Sequence, residues 1–192
     1  MSSIGSPNFL QEILGKAKLD LKSIAMIGHS FGGITSLQVG LNSQKFKACV
    51  SLDPWFLACE KQVNDKRFFV DKKTPQTLVV YSPTFPELVT KLSKDFDQKA
   101  CMDTFSAESQ KAGRFEQVTI NDSLHDSMSD KGYLFPTEIC TERFPHPRYM
   151  EINYHVNYLV VDFLARTGII GDAKGIEAKL DQTLLKYDAK LK

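Results

Sequence analysis

No apolar stretch in this chain approaches the roughly 20 residues needed to cross a bilayer, which argues against a membrane-spanning helix. The first twenty residues, MSSIGSPNFLQEILGKAKLD, lack the charged-then-apolar order of a secretory signal and the Met-Gly start of an acylated chain. Read as it stands, the sequence is expected to be soluble and cytoplasmic. Excess charge of one sign is also missing. Twenty-four Lys and Arg face 23 Asp and Glu, for a formal net charge of +1, and the two signs are interleaved. Neither a nucleic-acid surface nor a strongly acidic partner is therefore expected. Cysteine is scarce: Cys49, Cys59, Cys101 and Cys140 are widely spaced and form no C-x-x-C. That argues against a disulfide-built scaffold and against the usual zinc spacing. Cys49 lies in an apolar run and reads as a small buried hydrophobe. Internal repeats and low-complexity tracts are absent as well.

What is present is an ordinary globular composition, 42% hydrophobic and 24% charged over 192 residues, enough for one domain with a real core. Apolar runs alternate with amphipathic stretches. SIAMIG (23–28), KACVSLD (47–53) and TLVVYS (77–82) are short continuous runs that suit strands covered on both faces. FEQVTI (115–120) alternates more and is expected nearer a sheet edge. Helical patterns lie between them: PNFLQEIL, with Phe9, Leu10, Ile13 and Leu14 on one face; GITSLQVGL; and PELVTKLSKDF, with Pro86 in its first turn. The longest candidate is 147–168, ended by Gly168, and a charged tail occupies 172–192. Strands alternating with helices imply an α/β fold, with a mainly parallel sheet of about four strands and right-handed crossovers. In such sheets chemistry collects at the carboxyl ends of the strands.

The stretch GHSFG (28–32) fits G-x-S-x-G, with a strand run before it and a helix pattern after it. Gly28 and Gly32 would allow a tight turn that thrusts the Ser30 hydroxyl outward, and the following helix would aim N–H groups at a developing oxyanion. A Gly-rich turn with a capping serine would use the same letters, but the flanking strand and helix favour a nucleophile. A serine hydroxyl needs a base, and the base an orienting acid. His29 lies inside the turn and is expected to pack or bond beneath it, away from Ser30. His146 sits between prolines and His155 in mid-helix. His125 follows the last strand run in a polar loop, where a hydrolase of this type keeps its base. For the acid, the loop after TLVVYS offers only Glu87. Asp53 closes the preceding apolar strand, where a carboxylate is costly to bury unless paired; a cap or turn role beside Pro54 is the alternative. Ser30, Asp53 and His125 follow the Ser…Asp…His order of α/β-hydrolases.

Taken together, IGHSFGG, KACVSLDPW and INDSLHDS resemble the platelet-activating factor acetylhydrolases of the plasma and intracellular type II kind. The resemblance runs from about residue 20 to 165. It implies a calcium-independent lipase of the α/β-hydrolase fold that takes its acid from the strand right after the nucleophile, with a tryptophan two residues on. Asp53 and Trp55 match that feature, 23 positions (53 − 30) after Ser30. Around His125 the match is weaker, because Leu124 stands where the family has a small residue. By resemblance, Ser30 would be nucleophile, Asp53 orienter, His125 general base and then acid, and the Phe31 backbone N–H an oxyanion donor. The implied substrate is a glycerophospholipid with a short or oxidised sn-2 acyl chain, reached through transient contact with a membrane interface. Trp55 and Phe56 would line an acyl wall or simply pack in the core. No metal or organic cofactor is implied. The cutinase-like carboxylesterases share the elbow and the Pro-Trp segment, but they take their acid after the next strand.

One departure concerns the front of the chain. Complete α/β-hydrolases carry about four further strands before the elbow, and the loop that gives the second oxyanion N–H. Only 22 residues precede SIAMIG. The expectation is a single, N-terminally incomplete domain over 1–192, with strand 23–28 left as an apolar edge that invites a protein partner. A non-catalytic remnant that binds lipid or another subunit is the alternative from a different functional class.

Overall fold

The structure is a computed structural model, and it describes residues 20–129 and 149–171. Its elements are β1 (Ala25–His29), α1 (Phe31–Leu41), β2 (Ala48–Leu52), α2 (Glu60–Asn64), β3 (Gln76–Tyr81), α3 (Phe85–Leu92), α4 (Gln98–Ser109), β4 (Phe115–Thr119) and α5 (Tyr149–Arg166). Short 3-10 turns occupy Phe56–Cys59, Gln110–Ala112 and His125–Met128. The four strands form one parallel sheet in the order β1-β2-β3-β4. This is the α/β arrangement expected from the alternating runs.

Register explains why the strand ends matter. His29 pairs with Leu52, Leu52 with Val80, and Val80 with Val118. The carboxyl ends are therefore level, and whatever follows each strand emerges beside its neighbours. Strand β2 is buried along its whole length, and β3 from Thr77 onward, as continuous apolar runs require. Strand β4 is only partly covered and lies at an edge among the described strands, as its alternating sequence predicts.

Side chains of the central strands alternate between two cores. Cys49, Val79 and Tyr81 face one cluster with Ile34 and Leu37 of α1, Val63 of α2, Phe85 of α3 and Phe105 of α4. Ala48, Val50, Leu52, Leu78 and Val80 face the other, with Ile152, Val156, Phe163 and Leu164 of α5. Each fully buried aliphatic or aromatic side chain stabilises the fold by roughly 1.5–3 kcal/mol relative to exposure. Gly168, at φ 68, ends α5 with a left-handed cap in which the Ile169 N–H reaches the Leu164 carbonyl at 2.9 Å.

Three differences from the sequence reading stand out. Helix α1 begins at Phe31, right after the serine. Helix α3 stops at Leu92 instead of running to Phe96, because Ser93 turns extended at φ −136, ψ 96. Helix α4 was not expected. The helical pattern at 7–14, the tail 172–192, Cys140 and His146 lie outside the described residues. Among the described residues no helix is long and apolar enough to cross a membrane.

Candidate active site

Ser30 joins β1 to α1 with φ 60 and ψ −118, a backbone region that side chains other than glycine's rarely enter; such a conformation costs roughly 1–3 kcal/mol. It is held from several sides. The Ser30 N–H donates to the Leu52 carbonyl at 2.9 Å, and the Ser30 carbonyl accepts from Ile34 N–H at 3.1 Å and Trp55 N–H at 3.2 Å. Two glycines permit the turn. A Cβ at Gly28 would lie 2.0 Å from the Gly32 carbonyl oxygen, and one at Gly33 would lie 2.9 Å from that of Leu52. A Cβ at Gly32 would meet nothing within 4 Å. The close approach expected of Gly28 and Gly32 thus belongs to Gly28 and Gly33.

Asp53 follows β2 directly, fully buried, with φ 43. Its carboxylate accepts three hydrogen bonds. Ser82 N–H reaches Oδ1 at 2.6 Å, Ser82 Oγ–H reaches Oδ2 at 2.5 Å, and His125 Nδ1 lies 3.1 Å from Oδ2. A buried carboxylate with that many donors is well compensated. Glu87, the other candidate acid, is exposed in the first turn of α3.

His125 opens the 3-10 turn after β4. Its Nε2 lies 2.9 Å from Ser30 Oγ, so one imidazole bridges the serine and the aspartate. A carboxylate only accepts, so Nδ1 carries the ring proton and Nε2 is left to accept from the Ser30 hydroxyl. Phe85 stacks on the ring at 3.8 Å between centroids and 5° between planes. From α5, Tyr149 Oη donates to the Asp126 carbonyl at 3.4 Å and Asn153 Nδ2 to that of Ser127 at 3.4 Å, which ties the turn to the second core.

The other sequence candidates fall elsewhere. His29 packs and bonds against His125: its ring lies 4.5 Å from that of His125, and its Nε2–H donates to the His125 carbonyl at 3.0 Å. Burial first, and then the neighbouring His125, hold the His29 imidazole below its ordinary titration range, so it remains a neutral donor. His155 is exposed on α5. Phe56 has no exposed surface and packs on Phe105 at 5.2 Å; it belongs to the core and offers a substrate no wall. Trp55 is half-buried against the same cluster. Phe31 heads α1 with its side chain exposed, and its N–H is among the helix's first amides, which have no intrahelical partner.

Sequence reasoning missed Ser82, Phe85 and Gln98. Gln98 donates from Nε2 to the Pro54 carbonyl at 2.7 Å and accepts the Phe56 N–H at 3.0 Å, and so fixes the segment that leaves Asp53. Ser82 carried one readable signal, a small hydroxyl residue at the carboxyl end of the strand beside that of Asp53. Phe85 and Gln98 carried none.

The family model described as platelet-activating factor acetylhydrolase, isoform II, matches residues 6–152. The chain belongs to that family. Three curated platelet-activating factor acetylhydrolases show the relationship by sequence. The dog protein is 29% identical over 119 residues, 60% of this chain and 22% of the relative. The guinea pig protein is 41% identical over 51 residues, 27% of this chain and 12% of the relative. The cattle protein is 29% identical over 134 residues, 62% of this chain and 25% of the relative. The chain thus spans about a quarter or less of the length of these acetylhydrolases.

Proposed function

We propose that this chain carries the ester-hydrolysing centre of a platelet-activating factor acetylhydrolase, with Ser30 as nucleophile, His125 as general base and acid, and Asp53 as its orienter. The observation that supports this reading is the His125 ring, with Nε2 2.9 Å from Ser30 Oγ and Nδ1 3.1 Å from a buried Asp53. Ser30 Oγ attacks the sn-2 carbonyl of a phospholipid as His125 Nε2 takes its proton. The Phe31 N–H, at the positive end of α1, receives the developing oxyanion. The imidazolium, stabilised by Asp53, then protonates the departing glycerol oxygen. Water repeats the sequence on the acyl-serine and releases the carboxylic acid. The substrate class follows the family: phospholipids resembling platelet-activating factor, with short or oxidised sn-2 chains, met at a membrane interface.

A fluorophosphonate probe tests the centre. Labelling at Ser30 is expected, lost in Ser30→Ala and reduced at least about 10³-fold in His125→Ala and Asp53→Asn. Folded chain that takes no label would refute the proposal. Among labelled chains, faster turnover of sn-2 acetyl than of sn-2 palmitoyl phospholipid identifies the acetylhydrolase class over a general carboxylesterase.

A second reading, a chain that binds lipid or a partner without turnover, draws on a different observation. Strand β1, which delivers Ser30, is an edge among the described strands, and Ile27 at its centre is 49% exposed. Such an edge accepts another strand. Absence of labelling together with retained vesicle binding would favour it.

A further inference from the structure

Ser82 is almost fully buried at the carboxyl end of β3. Both of its donors go to one carboxylate: its N–H to Asp53 Oδ1 at 2.6 Å and its hydroxyl to Oδ2 at 2.5 Å. The hydroxyl contact is shorter than the 3.1 Å from His125 Nδ1 to the same oxygen. A single backbone donor would leave the carboxylate free to rotate about its Cβ–Cγ bond. Two donors from one residue, one on each oxygen, stop that rotation and leave Oδ2 aimed at the imidazole. The strand pairing makes the grip rigid, because the Asp53 N–H donates to the Val80 carbonyl at 2.8 Å, two residues before Ser82.

We propose that Ser82 is a positioning residue of the hydrolytic site, which locks the Asp53 carboxylate toward His125 and, by sharing Oδ2, limits how strongly that oxygen holds the His125 proton. This rests on the reading of Ser30, His125 and Asp53 as a working triad. Removing the hydroxyl returns electron density to Oδ2, which favours the imidazolium. It also loosens the carboxylate, which keeps the Ser82 N–H on Oδ1 and the longer His125 contact on Oδ2. The charged and titratable groups around His125 are Asp53 from the end of β2, His29 from the end of β1 and Asp126 in its own turn. Ser30, Phe85 of α3, and Tyr149 and Asn153 of α5 complete its surroundings. Of these groups, the Ser82 hydroxyl bonds Asp53, so the substitution reaches His125 through that carboxylate.

The test uses the full chain with isotope-labelled histidine. The His125 ring is titrated by NMR, and fluorophosphonate inactivation is measured against pH. In Ser82→Ala, both the ring midpoint and the acid limb of inactivation are expected to move up by about half a pH unit or more. The plateau rate is expected to fall roughly tenfold. Ser82→Thr, which keeps the hydroxyl, returns both toward wild type, and Ser82→Cys, a weaker donor of similar size, falls between. If Ser82→Ala does not fold, the Cys and Thr variants carry the comparison. A loss of stability or rate with both midpoints unmoved would overturn the proposal and leave Ser82 as packing. If wild-type chain takes no label, the triad reading fails on its own account. The ring titration still decides whether Ser82 governs Asp53 and His125.

Discussion

A methyl group at Gly28 would sit 2.0 Å from the Gly32 carbonyl oxygen, while one at Gly32 would sit in open space. The two glycines of G-x-S-x-G are therefore not equivalent here. Gly28 lets the end of β1 pass against the first turn of α1, and Gly33 lets α1 lie against the Leu52 carbonyl. Gly32 is an ordinary helical position. Gly28→Ala is expected to destabilise the chain by about 3 kcal/mol or more, since backbone must shift to admit the side chain. Gly32→Ala should leave stability unchanged or raise it by up to about 1 kcal/mol, because alanine is the better helix former. Urea unfolding midpoints of the two variants check this directly. The motif made the serine legible, because a strand run, a Gly-flanked Ser and a helix pattern together describe a strained turn. It did not say which glycine the packing needs, since that depends on β2, a separate part of the chain.

Strands β2 and β3 were legible as continuous apolar runs because both their faces are covered, and β4 as an alternating edge. Strand β1 reads as a covered run too, yet it is only partly buried, with Ile27 exposed, at an edge of the described sheet. Helix α4 was not legible, and its contacts explain why. Its buried positions include Gln98, Ser106 and Ser109, so no apolar stripe marks it. Two of them, Gln98 and Ser109, serve backbone that the sheet leaves unpaired. Ser109 Oγ accepts the Val70 N–H at 2.9 Å, and Gln98 bonds both Pro54 and Phe56. The one local signal was Asp97, whose side chain caps the helix by accepting the Ala100 N–H at 2.9 Å. Gln98→Ala would leave the Pro54 carbonyl and the Phe56 N–H buried without partners, at a cost of roughly 2–4 kcal/mol. Because those groups directly follow Asp53, Gln98→Ala is also expected to slow fluorophosphonate labelling in molecules that remain folded. A stability loss with unchanged labelling would show that the loop keeps its course without the glutamine.

Across the molecule, each of the four described strands contributes to the candidate site from its carboxyl end. β1 delivers His29 and Ser30, β2 delivers Asp53, β3 leads into Ser82 and Phe85, and β4 leads into His125. The first three are pinned by the level register of the sheet. His125 is not, because it hangs from the edge strand, five residues beyond the last ladder bond of Ile120 to Tyr81. Its position depends on contacts from other layers: the His29 ring, the Phe85 face, and the α5 side chains that hold the turn. The order Ser, Asp, His could be read along the chain, but these side supports could not, since they come from three separate segments. Phe85 is the support whose ring lies nearest the imidazole, at 3.8 Å against 4.5 Å for His29, and it has no polar role of its own. Phe85→Leu keeps an apolar side chain at the core position and should cost only about 1–2 kcal/mol in urea unfolding. The flat face against the imidazole is lost, and misplacing a reacting group by an ångström can cost about 10²-fold. The inactivation rate by fluorophosphonate is therefore expected to fall roughly ten- to a hundredfold in folded Phe85→Leu, out of proportion to the change in stability. An unchanged rate would mean that His29 and α5 alone hold the His125 ring, and that the stack contributes only packing.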